Sequence, residues 1–490
     1  MTRISGANKA CDLILFGTLG DLAGRKLLPA LYQLEKSGLL SPDSRIIGVA
    51  RDDLATASYI QVVESRLEQF LNTPLETDVW YRLQQKLQYA KIELTQAVDY
   101  QKLAALTQPE LRIPVSYFAT PPSLFGNISQ GLSMVGLAQD PARVVLEKPI
   151  GHDLASSIVI NNEVSRYFNE EQIYRIDHYL GKETVLNLLV LRFANAIFTS
   201  NWDNTTIDHV QITVAEEVGV EGRWGYYDDA GQTRDMVQNH LLQILSLIAM
   251  EPPRDLDAGS IRDEKLKVLK ALRPIDLSNV QENTVRGQYI RGFVNSKPVP
   301  AYLEEVDARE NSKTETFVAL KVNIDNWRWA GVPFYLRTGK RMPKKHSEVA
   351  ICFKPQPHNI FHKIYKYLAP NKLIIRLQPD EGVEVQIMNK VPGLDEKMQL
   401  QQSKLDLSFD ETFKSQRIAD AYERLLLEVM LGNQYLFVRR DEVEHAWKWV
   451  DGILEAWRHY HEPPAAYQAG TWGPTAATSL LARDGRNWDE

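Results

Sequence analysis

The stretch "DLILFGTLGDLAG", residues 12–24, constrains the fold more than any other. A short apolar run ending at a glycine is a strand buried on both faces, and the small residues that follow turn the chain into a helical region ending near Gly38. Runs of the same kind recur as "RIIGVA", "VSYFAT", "RVVLEKP" and "QIYRID", alternating with helical stretches such as "YIQVVESRLEQFL". That alternation predicts a doubly wound parallel sheet, an α/β domain over residues 1–177. After residue 200 the rhythm changes to longer alternating strands, "DHVQITVAEE", "FVALKVNID", "EVAICFKP", "KLIIRLQP" and "GVEVQIMNK". These predict a larger α+β domain over 178–490, built on a mainly antiparallel sheet with helices, among them "AYERLLLEVMLG" and "EVEHAWKWVDGILEAWRHY".

A chain of 490 residues exceeds what one core holds, in keeping with two domains. The net charge of −7 excludes a general nucleic-acid or anionic-membrane surface but leaves room for a focal anion site. Two cysteines, Cys11 and Cys352, are too few for a disulfide scaffold and fit a reducing compartment. The first residues lack the apolar core of a secretory signal, and the most apolar stretch, "VLNLLVLRFANAIF", carries Asn187, Arg192 and Asn195. A cytoplasmic protein without a membrane span is the expectation.

In a Rossmann-type βα turn, small residues let the backbone approach a pyrophosphate, whose charge is met by N–H groups at the helix start. Gly17, Gly20 and Ala23 suit that role, although Gly-x-x-Gly-x-x-Ala also fits a purely structural turn. Pro29 predicts a break or restart in the helix that begins at Asp21. At the end of the next strand, "RIIGVARDD" places Arg51 where an enzyme for NAD carries an acid for the ribose 2′-hydroxyl, which favours NADP; Asp52 and Asp53 follow and keep NAD open. Lys148 of "LEKP" ends another strand at the ligand-binding edge, where a solvated lysine is the plain alternative.

"RIDHYLGKE", residues 175–183, puts an acid, a histidine, a tyrosine and a lysine at the end of the last parallel strand. Read as the start of a helix, it sets His178 and Lys182 within roughly 40° of each other, able to share one anion with Tyr179 and the free backbone N–H groups. A second cluster, "RDMVQNHLLQILSLIAMEPP", leads a buried helix from Leu241 to Met250 with Asp235, Gln238, Asn239 and His240 in its first turns. His240 there is either a satisfied cap or a general base. Glu216 shares a sheet face with Val210, Ile212 and Val214. "LRTGKRMPKKHSE" gathers Lys340, Arg341, Lys344 and Lys345 in a loop between strands.

"GTLGDLAGRK", "EKP", "RIDHYLGKE", "RDMVQNHLLQ" and "RTGK", in this order and spacing, resemble the motif set of the glucose-6-phosphate dehydrogenase family from about residue 11 to "YQAGTWGP". The resemblance implies oxidation of glucose 6-phosphate at C1 to the 6-phospho-lactone with hydride transfer to NADP, the first oxidative step of the pentose phosphate pathway. It implies that His240 is the base at the C1 hydroxyl with Asp177 as its carboxylate partner. His178, Tyr179 and Lys182 match the 6-phosphate positions, and Glu216, Asp235, Lys340 and Lys345 match further sugar positions. Lys26 and Lys148 face substrate and cofactor. Gly17, Gly20, Asp21, Leu22 and Arg51 match the dinucleotide site, as do Glu93 and Leu94 beside the adenosine half. No metal is expected, and a homodimer or homotetramer built through the large sheet is. Gly24 stands where relatives often carry a cation, and Lys345 where some carry arginine. Two rival readings are a catalytically silent NADP-binding regulator and a dehydrogenase for a non-phosphorylated sugar. The retained His240, Asp177 and Lys182 speak against the first, and the gathered cations against the second.

Overall fold

β1 (Cys11–Phe16) is buried along its whole length, and its one charged residue, Asp12, is answered by the Arg112 guanidinium at 2.7 Å and the Gln108 backbone N–H at 2.8 Å. A buried carboxylate with two donors no longer carries the cost of losing water, so the strand can occupy the sheet centre. The computed structural model, which describes residues 10–222, 224–394, 398–414 and 417–489, flanks it with β2 (Arg45–Ala50) and β4 (Ile113–Phe118). β3 (Leu87–Lys91) lies beyond β2, and β5 (Arg143–Leu146) and β6 (Ile173–Arg175) lie beyond β4. All neighbours in this six-stranded sheet run parallel. Its order, β3-β2-β1-β4-β5-β6, reverses between β1 and β4, which opens a crevice beyond their carboxyl ends. β3 escapes the reading of continuous apolar runs because, at the sheet edge, it alternates: "LQYAK" ends in an exposed lysine.

Pro29 does not break the first helix. Ala23–Leu27 takes a π-helical turn in which Leu28 N–H bonds to Ala23 O, and Leu28–Lys36 continues as an α-helix with Pro29 in its first turn. The wider turn moves the hydrogen-bond register, so the proline's missing donor falls where the ladder is already changing.

The molecule divides into two compact units. The first comprises the described residues of Met1–Glu183 with two later segments, Pro253–Asp263 and Ile418–Glu444. The second comprises those of Thr184–Pro252, Glu264–Arg417 and His445–Glu490. Its strands are β7 (Ile207–Ala215), β8 (Thr284–Ile290), a small hairpin of β9 (Gly292–Val294) and β10 (Lys297–Val299), β11 (Phe317–Val322), β12 (Phe334–Gly339), β13 (His346–Phe353), β14 (Lys372–Gln378), β15 (Gly382–Lys390), β16 (Leu400–Ser408) and β17 (Ala465–Gln468). Nine of them form one sheet, β16-β15-β14-β13-β7-β12-β11-β8-β17, mainly antiparallel but with parallel pairings β7·β12 and β8·β17. Trp224, Tyr227, Tyr289, Tyr302, Phe317 and Tyr467 fill the core cluster beneath it. The five alternating runs of the sequence are all strands here. β8, β12, β16 and β17 were not legible, and β12 is the instructive case: "FYLRTG" is wholly buried, yet its Arg337, Thr338 and Gly339 read as loop.

Candidate active site

The βα turn of the first unit is built for close approach. Gly17 has φ +82°, and a Cβ on it would lie 2.4 Å from Ala119 O. Gly20 N–H closes the turn on Gly17 O at 2.9 Å, and a Cβ on Gly20 would crowd that same oxygen at 3.0 Å. Glycine at both positions leaves a backbone cradle without side chains, which fits a dinucleotide pyrophosphate. Asp21 is exposed and paired with Arg25 at 2.5 Å, with half-buried Leu22 beside it. The space beside Gly24 is taken by Arg66, whose Cδ is 3.2 Å from where a Cβ would stand, so a cation from the next helix lies where the chain lacks one. At the end of β2, Arg51 is exposed, and Asp53 is held by Lys91 at 2.9 Å. Glu93 and Leu94 follow β3, and the Glu93 N–H is taken by Asp99 at 2.9 Å.

"DHYLGK" is not the start of an α-helix. His178–Gly181 forms a 3₁₀ turn capped by Asp177, whose Oδ1 accepts from Tyr179 N–H at 2.9 Å; Lys182 is extended, and the α-helix begins at Glu183. His178 and Lys182 therefore do not share a helix face, and the Tyr179 N–H is already engaged. Tertiary packing decides this, because a Cβ on Gly181 would lie 2.6 Å from Ala421 O of the helix Ala421–Leu431, which packs directly on the turn. The three side chains meet by another route. Lys182, 7% exposed, sets its ammonium 3.4 Å from the centre of the Tyr179 ring, and the His178 ring lies 5.1 Å from that ring. A cation on an aromatic face is stabilised by the ring's negative face.

Residues that the sequence analysis did not single out as site candidates complete this region. Asp420 caps the helix Ala421–Leu431, accepting from Tyr422 N–H at 2.9 Å, and its other oxygen pairs with Lys26 at 2.9 Å. The Tyr422 ring lies nearly parallel to His178, at 10° and 6.3 Å. Glu147, buried at the end of β5, accepts from Tyr117 O–H at 2.5 Å and from the backbone of half-buried Lys148 at 3.3 Å. Burial pushes its carboxyl above the ordinary value against those hydrogen bonds. Only the capping box "DAYE" was available as a sequence signal for this helix start.

In the second unit the strand register does the positioning. β7 and β12 run parallel with Ala215 opposite Gly339, so the next residue of each strand emerges at one edge, and Lys340 Nζ meets Glu216 Oε2 at 2.8 Å. Lys340 is buried and stands 5.1 Å above the Tyr227 ring. Lys345 is exposed in the turn before β13, a turn fixed by Arg341 at φ +51° and by its contact with Glu305 at 3.3 Å. Asp235 and His240 lie on a π-helix, Thr233–Leu241, which passes into the α-helix Leu242–Ala249, all of whose residues are buried. His240 is fully buried and Asp235 half-buried. Glu315, unremarkable in sequence, anchors this π-helix by accepting from Thr233 N–H at 3.0 Å and its hydroxyl at 2.5 Å.

A parallel sheet with a glycine cradle, joined in one chain to a sheet unit bearing a buried histidine and a carboxylate–lysine pair, defines the class of nicotinamide-dependent oxidoreductases. Residues 14–187 match the family description "Glucose-6-phosphate dehydrogenase, NAD binding domain" and residues 189–489 match "Glucose-6-phosphate dehydrogenase, C-terminal domain". The chain belongs to the glucose-6-phosphate dehydrogenase family. It is similar to the glucose-6-phosphate 1-dehydrogenases of Dickeya dadantii, at 61% identity over 99% of both chains, and of Zymomonas mobilis, at 49% over 98% of this chain and 99% of the other. Among solved structures it is similar to a glucose-6-phosphate dehydrogenase in complex with its substrate glucose-6-phosphate (TM-score 0.90, 34% identity, 99% and 100% covered). It is also similar to the Mycobacterium avium enzyme (TM-score 0.86, 36% identity, 98% of each chain).

Proposed function

We propose that this protein oxidises glucose 6-phosphate at C1 to 6-phospho-glucono-1,5-lactone with NADP as hydride acceptor. The observation that carries the choice of a phosphorylated sugar is the turn Asp177–Lys182, where a buried lysine on the Tyr179 ring stands beside a half-buried histidine. Two nitrogen donors gathered at one turn suit a dianion. When bound, NADP supplies the hydride acceptor, with Gly17, Gly20, Asp21 and Leu22 along its pyrophosphate, Arg51 at the 2′-phosphate, Glu93 and Leu94 beside the adenosine, and Lys148 near the reacting end.

In this reading His178, Tyr179 and Lys182 hold the 6-phosphate. Glu216 and Asp235 accept from sugar hydroxyls, and Lys340, Lys345 and Lys26 donate to the sugar phosphate's oxygens. His240 takes the proton of the C1 hydroxyl, and Asp177 serves as its carboxylate partner, stabilising the imidazolium without taking the proton itself. The preference for NADP over NAD draws support from Arg51 standing exposed at the end of β2 while Asp53 is engaged by Lys91. We read residues 1–177 as the cofactor half and 178–490 as the substrate and assembly half of a homodimer or homotetramer. Exposed Leu405 and Leu407 on β16 support assembly through the large sheet. A cytoplasmic setting is supported by two buried free cysteines; among the described residues no helix is long and apolar enough to cross a membrane. Initial rates of NADPH formation with glucose 6-phosphate and with glucose test the whole reading: a large preference for the phosphate ester is expected. Equal rates point to a non-phosphorylated sugar, and no turnover with intact NADP binding points to a silent regulator.

A further inference from the structure

The loop that leaves β2 carries Arg51, Asp52 and Asp53, all exposed, yet its backbone is tied down on both sides of Arg51. Before it, Ala50 O accepts from Ile92 N–H at 2.9 Å, which extends the ladder of β2 and β3. After it, Asp52 O accepts the hydroxyl of Tyr89, on β3, at 2.7 Å. Two residues along the same strand, the Lys91 ammonium holds the Asp53 carboxylate at 2.9 Å. In the register of the two parallel strands Tyr89 stands opposite Gly48, so its side chain reaches toward the carboxyl end of the sheet to meet a carbonyl four residues further on. The Tyr89 ring is backed by that of Tyr59, from the helix Thr56–Phe70, at 5.1 Å. Tyr59 is itself fixed: it is fully buried, and its hydroxyl shares a hydrogen bond of 2.6 Å with Thr18 in the glycine turn. Only glycine at position 48 leaves room for it, since a Cβ there would lie 2.4 Å from Tyr59 Cζ.

We propose that Tyr89 is a positioning residue for cofactor discrimination: by holding the Asp52 carbonyl it sets the backbone from which Arg51 meets the 2′-phosphate of NADP. The inference rests on the reading of Arg51 as the 2′-phosphate ligand, and Tyr89 acts through that arginine. Fixing the loop beforehand removes part of the freedom that binding would otherwise have to freeze. NAD, which lacks the phosphate, gains nothing from a placed Arg51, so the benefit falls on NADP.

Three variants of the full-length protein test this: Arg51→Ala, Tyr89→Phe and the two combined. Each is read by the KM for NADP and for NAD, and by the inhibition constants of adenosine 2′-monophosphate and adenosine 5′-monophosphate as competitors of NADP. Tyr89→Phe keeps the ring against Tyr59 and removes only the hydroxyl that reaches Asp52. It should raise the KM for NADP and the inhibition constant of the 2′-monophosphate by roughly threefold to tenfold, the worth of one hydrogen bond, with NAD and the 5′-monophosphate unchanged. The double variant should bind the 2′-monophosphate no worse than Arg51→Ala alone, because Tyr89 has no effect once the arginine it places is gone. If Arg51→Ala leaves inhibition by the 2′-monophosphate unaltered, the 2′-phosphate reading of Arg51 is wrong and the positioning role falls with it. If Arg51→Ala weakens that inhibition but Tyr89→Phe does not, the reading of Arg51 stands and the positioning role is overturned. An equal loss for both monophosphates in Tyr89→Phe, or a further loss in the double variant, also overturns it, because a general loosening of the sheet edge has no reason to single out the 2′-phosphate.

Discussion

The two units set their charged side chains by opposite means. In the first, Asp177, His178 and Lys182 sit on a 3₁₀ turn that ends a parallel strand, and Lys26 and His178 find their partners on a helix more than two hundred residues later in the chain, at Asp420 and Tyr422. In the second, Glu216 and Lys340 extend two hydrogen-bonded strands, so the backbone ladder alone places them at 2.8 Å. Strand register is local in space and rigid; a turn holds its side chains only as well as what packs on it. Yet both units resort to the same device where a candidate site residue leads a buried α-helix: a π-helical stretch, Ala23–Leu27 with Lys26 in one and Thr233–Leu241 with Asp235 and His240 in the other. On an α-helix Asp235 and His240, five apart, would point roughly 140° away from each other; the wider π turn narrows that angle, which is one reason such turns gather at functional sites.

The most severe test of this contrast is His240→Asn. If the π-helix of the second unit delivers the base, turnover should fall by roughly 10²- to 10⁴-fold with both substrates still bound, as checked by steady-state rates and by binding titration. Adding Asp177→Asn should cost little more, since residues acting as one unit lose their joint effect once; full additivity would separate them. Near-normal turnover of His240→Asn returns the histidine to a cap.

Next comes the strand-borne pair. Lys340→Met leaves Glu216 without its partner and takes a donor from the sugar, so kcat/KM for glucose 6-phosphate should fall by about ten- to a hundredfold, the value of a charged hydrogen bond of roughly 1.5–3 kcal/mol. The matching substitution on the turn, Lys26→Met, should cost less, because Lys26 is half-exposed and its salt bridge to Asp420 is screened. Equal losses would erase the distinction between the rigid and the packed site.

Arg51→Ala probes the loop at the end of β2. The KM for NADP should rise by about tenfold and that for NAD hardly at all; a rise for both removes Arg51 from the 2′-phosphate. The smallest effect is expected from Asp420→Ala, which deletes a helix cap: about 1 kcal/mol of stability by denaturant titration, accompanied by a modest rise in the KM for the sugar phosphate as Lys26 and Tyr422 lose their anchor. A stability loss with no kinetic trace would reduce the Ala421–Leu431 helix to a structural role.

Much of this was legible before any coordinates. The parallel strands read out because burial on both faces demands continuous apolar runs, and the alternating strands because a half-buried sheet demands period two. What escaped did so for a stated cause: β3 and β16 lie at sheet edges where burial is partial, and β12 carries Arg337 and Thr338 in a fully buried strand. The candidate residues His240, Glu216 and Lys340 were visible as polar groups at the ends of apolar elements, and Glu147 and Asp420 only as members of "EKP" and of the capping box "DAYE"; Glu315 and Tyr422 gave no signal, because each matters through a neighbour distant in the chain.

The sequence by itself therefore determined the two kinds of sheet, the glycine cradle and the family, since all three follow from local pattern: which residues are apolar, how often, and where backbone without Cβ is required. Only the tertiary structure decided that "DHYLGK" is a 3₁₀ turn and not a helix, that "TRDMVQNHL" winds as a π-helix, and that Tyr422 stacks on His178. Helical periods differ by fractions of a residue per turn, and such small differences in local energy are settled by contacts like that of Gly181 with Ala421 or Thr233 with Glu315, whose partners lie far along the chain and leave no trace in the segment they shape.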